Sequence, residues 1–108
     1  MPTGDEEQVT MRVLMKVQID TEKANQAITD MTLPQVHTSV FERIKPEAAY
    51  IGTEDSMRTA FVVFDLKEPS DIPSIAEPFF QKLGAKLSLV PVMSFEDVQV
   101  GMQKYASG

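Results

Sequence analysis

The sequence predicts an α+β fold, in which helices pack on a four-stranded antiparallel sheet. Two apolar patterns carry this prediction. Residues 11–19 place an apolar side chain at every odd position, which is the period of a half-buried strand. At the centre of residues 58–66, odd and even positions are both apolar, as in a central strand that is covered on both faces. A third observation is the length of 108 residues, which suffices for one compact domain and not for two.

Two helix signals follow the first predicted strand. Asp20 or Thr21 can cap a helix over residues 21–31, and Pro34 then predicts either a kink or the start of a second helix, because proline removes a hydrogen bond inside a helix. The second part ends before Pro46. The positions predicted to face the core are Ala24, Ala27, Ile28, Met31, Val36, Val40, Phe41 and Ile44.

The second half of the chain repeats the strand and helix signals. A short strand over residues 48–53 and a turn at EDSM lead into the strand 58–66, and a helix over residues 71–83 is capped by Ser70 or Asp71 and followed by Gly84. Residues 85–92 predict a fourth strand. Ser94 caps a last helix, whose predicted inward positions are Phe95, Val98, Met102 and Tyr105. The order βαββαβ with an added C-terminal helix is that of ferredoxin-like domains.

The amino-acid composition argues against some classes of binding partner and indicates the cellular compartment. The formal charge of −6 argues against nucleic acid, since phosphate binding needs a basic surface. No apolar run is long enough to span a bilayer, and the acidic start MPTGDEEQ resembles no secretory signal. The absence of cysteine fits a soluble cytoplasmic protein, and a single histidine argues against a metal site. No motif predicts a cofactor. We expect residues 1–9 to form a mobile acidic leader before a single domain over residues 10–108.

Helices on one side of the predicted sheet leave its other side uncovered, and we call this side the open face. Leaving its apolar side chains in water would forgo several kcal/mol, at about 25 cal/mol per Å² of apolar surface. A second copy, sheet against sheet, would cover them, so the sequence predicts a homodimer. The alternative is a monomer with a solvated face. The open face is predicted to hold Arg12, Leu14, Lys16, Gln18, Tyr50, Phe61, Val63, Ser88 and Val90.

The element order, the mixed open face and the closing segment LVPVMSFEDV resemble the dimeric α+β barrel superfamily. That group includes muconolactone isomerases and antibiotic-biosynthesis-type monooxygenases. The segments KPEAAY and PVMSFED are most similar to one of its uncharacterised bacterial families. The resemblance covers residues 11 to about 105 and implies a dimer whose two sheets surround a cavity. It assigns no reaction, because these families share a scaffold and use different residues.

The predicted cavity suggests a ligand site. Arg12 and Lys16 lie on one side of the first strand, about 13 Å apart, and could hold an anionic ligand, with Gln18 and Tyr50 donating hydrogen bonds and Phe61 adding apolar contact. In the alternative interpretation, the two cations pair with carboxylates of the partner. The predicted function is binding of a small organic or anionic ligand. The alternative is a cofactor-free isomerase or monooxygenase acting on a small organic acid or aromatic metabolite.

His37 is the candidate catalytic residue of that alternative. At 100° per residue it lies within the apolar stripe of its helix, near Leu33, Val40 and Ile44. This position favours a packed core histidine with one nitrogen bonded to a backbone carbonyl or to water. A pocket residue between helix and sheet and an acid–base catalyst are the two other interpretations.

Overall fold

A computed structural model describes residues 10–108, so the predicted leader, residues 1–9, lies outside the described residues. The strands are β1 (Met11–Gln18), β2 (Ala48–Glu54), β3 (Met57–Leu66) and β4 (Lys86–Pro91). The helices are α1 (Thr21–Thr29), α2 (Thr32–Ile44), α3 (Ile72–Leu83) and α4 (Phe95–Ala106), with a 3₁₀ turn, Pro69–Asp71, before α3.

The sheet has the order β2-β3-β1-β4, and each neighbouring pair is antiparallel. The predicted α+β class and antiparallel sheet are therefore confirmed, with the two most apolar strands in the centre, and the order is compatible with a ferredoxin-like fold. Met15 pairs with Val62 and Leu89, which places all three side chains on the helix side. Lys16 pairs with Phe61 and Ser88 on the opposite side, so the residues predicted for the open face do share one side of the sheet.

The core lies between the helix side of the sheet and helices α1–α3. Its largest fully buried side chains are Phe64, Phe79, Met15, Val13, Val17, Val40 and Val62. Full burial of a side chain of this size stabilises the fold by about 1.5–3 kcal/mol, so this layer supplies much of the folding free energy.

The break between α1 and α2 is a fresh helix start rather than a kink. Asp20 caps α1 by accepting the Lys23 N–H at 3.2 Å. Met31 adopts a left-handed conformation, φ 69°, and α2 then begins at Thr32, which puts Pro34 in its first turn. At this junction the hydroxyl and backbone N–H of Thr32 donate to Asp30 and hold the pKa of that carboxyl below its usual value.

Helix α3 contains Pro78, as the sequence requires, and its missing N–H leaves the carbonyl of Ser74 without an intrahelical donor. The guanidinium of Arg43, on α2, donates to that carbonyl instead. Gly84 ends the helix in the left-handed conformation, φ 57°, as predicted from its position. The hydrogen bond from Arg43 therefore links α2 to the interruption in α3.

Three predictions about helix packing and turns need correction. Ile28 and Met31 are 44% and 57% exposed, because α1 buries its Ala24 and Ala27 side and ends at Thr29 instead of continuing as one helix along the core. Strand β2 extends to Glu54, so the turn is the pair Asp55–Ser56 rather than all of EDSM. The predicted inward stripe of α4 is also wrong, since every residue of this helix is exposed.

Helix α4 nevertheless begins as predicted. Ser94 accepts the Asp97 N–H at 3.1 Å, and Asp97 accepts the Ser94 N–H at 3.2 Å, which is a complete capping box. Across residues 10–108, none of the helices combines the length and apolar character that a membrane crossing needs.

Candidate functional site

The open face combines an apolar centre with polar ends. Leu14, Phe61 and Val63 are half-buried at its centre, and Tyr50 and Val90 beside them are 71% and 42% exposed. The register explains the grouping, because Leu14 pairs directly with Val63 and Val90, and Tyr50 pairs with Phe61. Cross-strand neighbours of this kind have Cβ atoms about 5 Å apart, so the apolar side chains form one continuous patch.

A polar cluster adjoins one end of this patch. The Lys16 Nζ lies 3.2 Å from both carboxylate oxygens of Glu54. The amide of Gln18 donates to the Glu54 backbone carbonyl at 2.7 Å and to the Thr59 hydroxyl at 3.3 Å. Thr59 is only 1% exposed, and its hydroxyl donates to the Met57 carbonyl. These bonds fix the Gln18 amide and the ammonium of Lys16 on the open face.

An open depression of about 220 Å³ lies over this cluster. Besides the residues just described, Lys86 and Ser88 of β4 line it. Lys86 pairs with Gln18 in the register, so it sits diagonally from Lys16 on the same face, about 7–8 Å away across the strands. Two lysines and one carboxylate line this depression, which therefore carries a surplus positive charge in a chain whose formal charge is −6.

The other predicted ligand residues lie outside the depression. Arg12 occupies the opposite end of β1, where its Nε lies 2.9 Å from a carboxylate oxygen of Glu47. Tyr50 and Phe61 lie between the two ends. The structure thus brings Lys16 and Gln18 together and leaves Arg12 apart. Both predicted cations pair with carboxylates of their own chain.

His37 lies on the other side of the sheet, in the helix layer. Its Nδ1 is 3.0 Å from the Leu33 carbonyl and, since a carbonyl only accepts, Nδ1–H donates this hydrogen bond. The ring meets Phe41 and Phe79 edge to face, at centroid distances of 5.7 and 5.6 Å. The Nε2 atom is buried and has no hydrogen-bond partner among the described residues. Because the sheet separates His37 from the open face, it is not available to the depression there.

A cavity of about 500 Å³ is also on the helix side, between the end of α2 and the start of α3. Its charged groups already have partners or opposite neighbours. Arg43 donates to the Ser74 carbonyl and Glu47 pairs with Arg12, while Lys45 and Lys67 share the cavity with two aspartates. We assign the candidate site to the smaller depression, because its polar groups are fixed by hydrogen bonds and it adjoins the uncovered apolar patch of the sheet. Within residues 10–108, no three histidine or carboxylate side chains cluster as metal ligands.

Comparison with known proteins adds evidence on the fold alone. No family model matches the sequence, and none of the curated proteins gives a match. The structure of an uncharacterised protein from Thermotoga maritima is similar, with a TM-score of 0.51 and 16% sequence identity. The match covers 79% of this chain and 100% of that chain. At this identity the likeness supports the α+β sheet architecture.

The sequence interpretation missed three polar residues of the depression, Glu54, Thr59 and Lys86. Glu54 was placed in a turn, whereas the longer β2 carries it to the end of the open face. Thr59 and Lys86 are the register partners of Gln18, on β3 and β4. The alternation of buried and exposed side chains along β1 could have identified these residues only if the register of the neighbouring strands were known. That register depends on the position of the β2–β3 turn.

Proposed function

We propose that this protein forms a homodimer through the open face and binds a small organic anion between the two sheets. The observation that carries the proposal is the uncovered apolar patch beside a polar depression of surplus positive charge. The apolar patch supplies the driving force for association, and the depression supplies the ligand site.

Association through the patch removes apolar surface from water. Phe61, Val63 and Leu14 are only half-buried, and Tyr50 and Val90 are more exposed still. At about 25 cal/mol per Å², covering these five side chains in each of two copies stabilises the dimer by several kcal/mol. A two-fold arrangement covers the same patch on both copies with one interface.

The depression suits an anion once a second sheet covers it. Two such half-sites that face each other enclose about 440 Å³, twice the volume of one, which lies within the range of about 300–1,000 Å³ typical of ligand pockets. Lys86 and Lys16 offer ammonium donors to a carboxylate, and the Ser88 hydroxyl lines the same space. The apolar patch next to them would contact the organic part of the ligand.

Binding rather than turnover is the function that the geometry favours. The isomerase or monooxygenase alternative needs an acid or base that faces the ligand. His37 was its candidate, and it packs between aromatic rings on the far side of the sheet. The carboxylate in the depression, Glu54, is paired with Lys16, and this pairing supports ligand binding over proton transfer.

Calorimetric titration with benzoate and succinate tests the ligand class. We expect one of these carboxylates to bind wild type, and Lys86→Ala to bind it about tenfold more weakly, a loss of about 1.4 kcal/mol. Lys82→Ala is the matched control, because Lys82 lies on α3, on the other side of the sheet. Equal affinity in Lys86→Ala, or no heat with either carboxylate, would overturn the ligand assignment.

A further inference from the structure

The last helix carries an apolar stripe that nothing in the described chain covers. Phe95, Val98, Met102 and Tyr105 recur at intervals of three or four residues, so they share one side of α4. They are 87%, 41%, 58% and 81% exposed.

A helix of this kind needs a packing partner to be stable in water. It has 12 residues, and isolated helices shorter than about 12–15 residues are marginal even in favourable sequences. Gly101 lies in its interior and makes the helix less stable than alanine would at that position. The capping box at Ser94 offsets part of this cost and leaves the apolar stripe exposed.

The same chain exposes an apolar side chain on the helix side of its other edge strand. Ile51 pairs with Ala60, which is buried under the helices, yet Ile51 is itself 72% exposed. Its neighbours on that side of β2, Ala49 and Thr53, are exposed as well. Helices α1–α3 therefore leave this edge of the sheet uncovered.

The two uncovered elements lie at opposite edges of the sheet, α4 directly after β4 and Ile51 on β2. Val92 prolongs the β4 ladder by donating to the Arg12 carbonyl, so α4 follows from the Arg12 end of this edge strand. When two such sheets face each other about a two-fold axis parallel to the strands, β4 of one copy lies over β2 of the other. That operation delivers α4 to the edge where Ile51 is exposed.

We propose that α4 is an exchanged arm, whose apolar stripe packs on the helix side of β2 around Ile51 in a second copy of this chain. This arm rests on the proposed homodimer. It adds the direction of the two-fold axis, parallel to the strands, and a second contact beside the one between the sheets. Each copy has two uncovered surfaces, the apolar stripe of α4 and the helix side of β2. The two-fold axis pairs the stripe of each copy with β2 of the other, so all four surfaces are covered.

The surface area that the exchanged helices would bury is large enough for a stable interface. An aromatic side chain buries about 150–250 Å², so Phe95 and Tyr105 together offer about 300 Å² or more. Two exchanged helices and the surfaces they cover then bury on the order of 1,200 Å² before the open faces contribute, at the lower end of the range of about 1,200–2,000 Å² for specific interfaces.

Dimer dissociation constants from sedimentation over a concentration series test the arm in the full chain. We expect Met102→Glu and Ile51→Glu each to weaken the dimer at least tenfold. The two side chains meet in the proposed contact. The dissociation constant of the double variant should therefore exceed that of wild type by a factor much smaller than the product of the two single-variant factors. Val100→Glu is the control, since two residues along a helix turn it by about 200° and put Val100 opposite Met102.

The possible outcomes distinguish a failure of the exchanged arm from a failure of the proposed dimer. A wild-type dimer that Met102→Glu leaves unchanged, or that Val100→Glu weakens equally, overturns the arm and leaves the sheet-to-sheet dimer standing. Independent, multiplicative effects of Met102→Glu and Ile51→Glu overturn the placement on β2. A monomeric wild type overturns the homodimer, and the arm with it. Since no residue of α4 is buried in its own chain, the melting curve of each α4 variant should retain the cooperative unfolding of the domain.

Discussion

Lys16 and Glu54 form an ion pair across the open face, with both N–O distances at 3.2 Å, although β3 lies between the strands that carry them. The pair occupies the ammonium group that a bound anion would contact. The proposed ligand would therefore compete with an internal carboxylate at this end of the face.

Glu54→Gln should strengthen the binding of a small carboxylate, because it leaves the Lys16 ammonium free of an internal negative charge. We expect the affinity measured by calorimetry to rise severalfold, and the free energy of unfolding to change by less than about 1 kcal/mol, since the pair is partly exposed. Glu47→Gln breaks the equivalent pair with Arg12 outside the depression and should leave the affinity unchanged. Equal effects of the two variants would contradict a ligand near Lys16.

His37→Leu should fold and should cost less than about 1.5 kcal/mol of unfolding free energy in urea titration. The substitution keeps an apolar side chain of similar reach between Phe41 and Phe79 and removes the buried Nε2, which has no partner among the described residues. Phe79→Ala in the same layer should cost about 3–5 kcal/mol, as a cavity-forming control. A loss in His37→Leu as large as that of the control would show that the imidazole makes a polar contact essential to the core. Carboxylate affinity should be unaffected.

The contact between Arg43 and the Ser74 carbonyl should depend on Pro78. In wild type, Arg43→Ala removes the donor and should cost about 1 kcal/mol or more. In a Pro78→Ala background, the new backbone N–H can bond to the same carbonyl, so the cost of Arg43→Ala should shrink. A double-mutant cycle by urea unfolding measures the coupling, expected at about 0.5 kcal/mol or more. A coupling of zero would mean that the two residues act independently.

Ser56→Gly should stabilise the β2–β3 hairpin. Asp55 and Ser56 have φ angles of 55° and 64°, and a two-residue turn with both angles positive favours glycine. We expect a gain of about 0.5–1 kcal/mol. Ser88→Gly, in the extended strand β4, is the matched control and should lose stability instead. A loss in both variants would mean that this turn gains nothing from glycine.

The faces of the sheet could be predicted from the sequence because side chains alternate along a strand. The odd positions of β1 identify the buried side, and a strand cannot shift by one residue without exposing Val13, Met15 and Val17. Helix ends were predictable for the same kind of reason, since Ser94 and Gly84 meet local requirements of the backbone.

Contacts between distant elements were not predictable in this way. The partner of Lys16 depends on the length of β2 and on the register of two successive strand pairs, so no local pattern specifies Glu54. Helix α4 shows a second limit. Its spacing of apolar residues correctly predicts an apolar stripe, but a stripe does not say whether the same chain or a second molecule covers it.

The measurement that tests the proposed dimer most directly is light scattering of the full chain, with Phe61→Glu beside wild type. Phe61 lies at the centre of the open face, where a carboxylate would have to be buried in the interface. The dimer predicts about 24 kDa for wild type, twice the chain mass of 12.0 kDa, and about 12 kDa for a folded Phe61→Glu. A wild-type mass of 12 kDa across micromolar concentrations, or a Phe61→Glu variant that stays at 24 kDa, would contradict it.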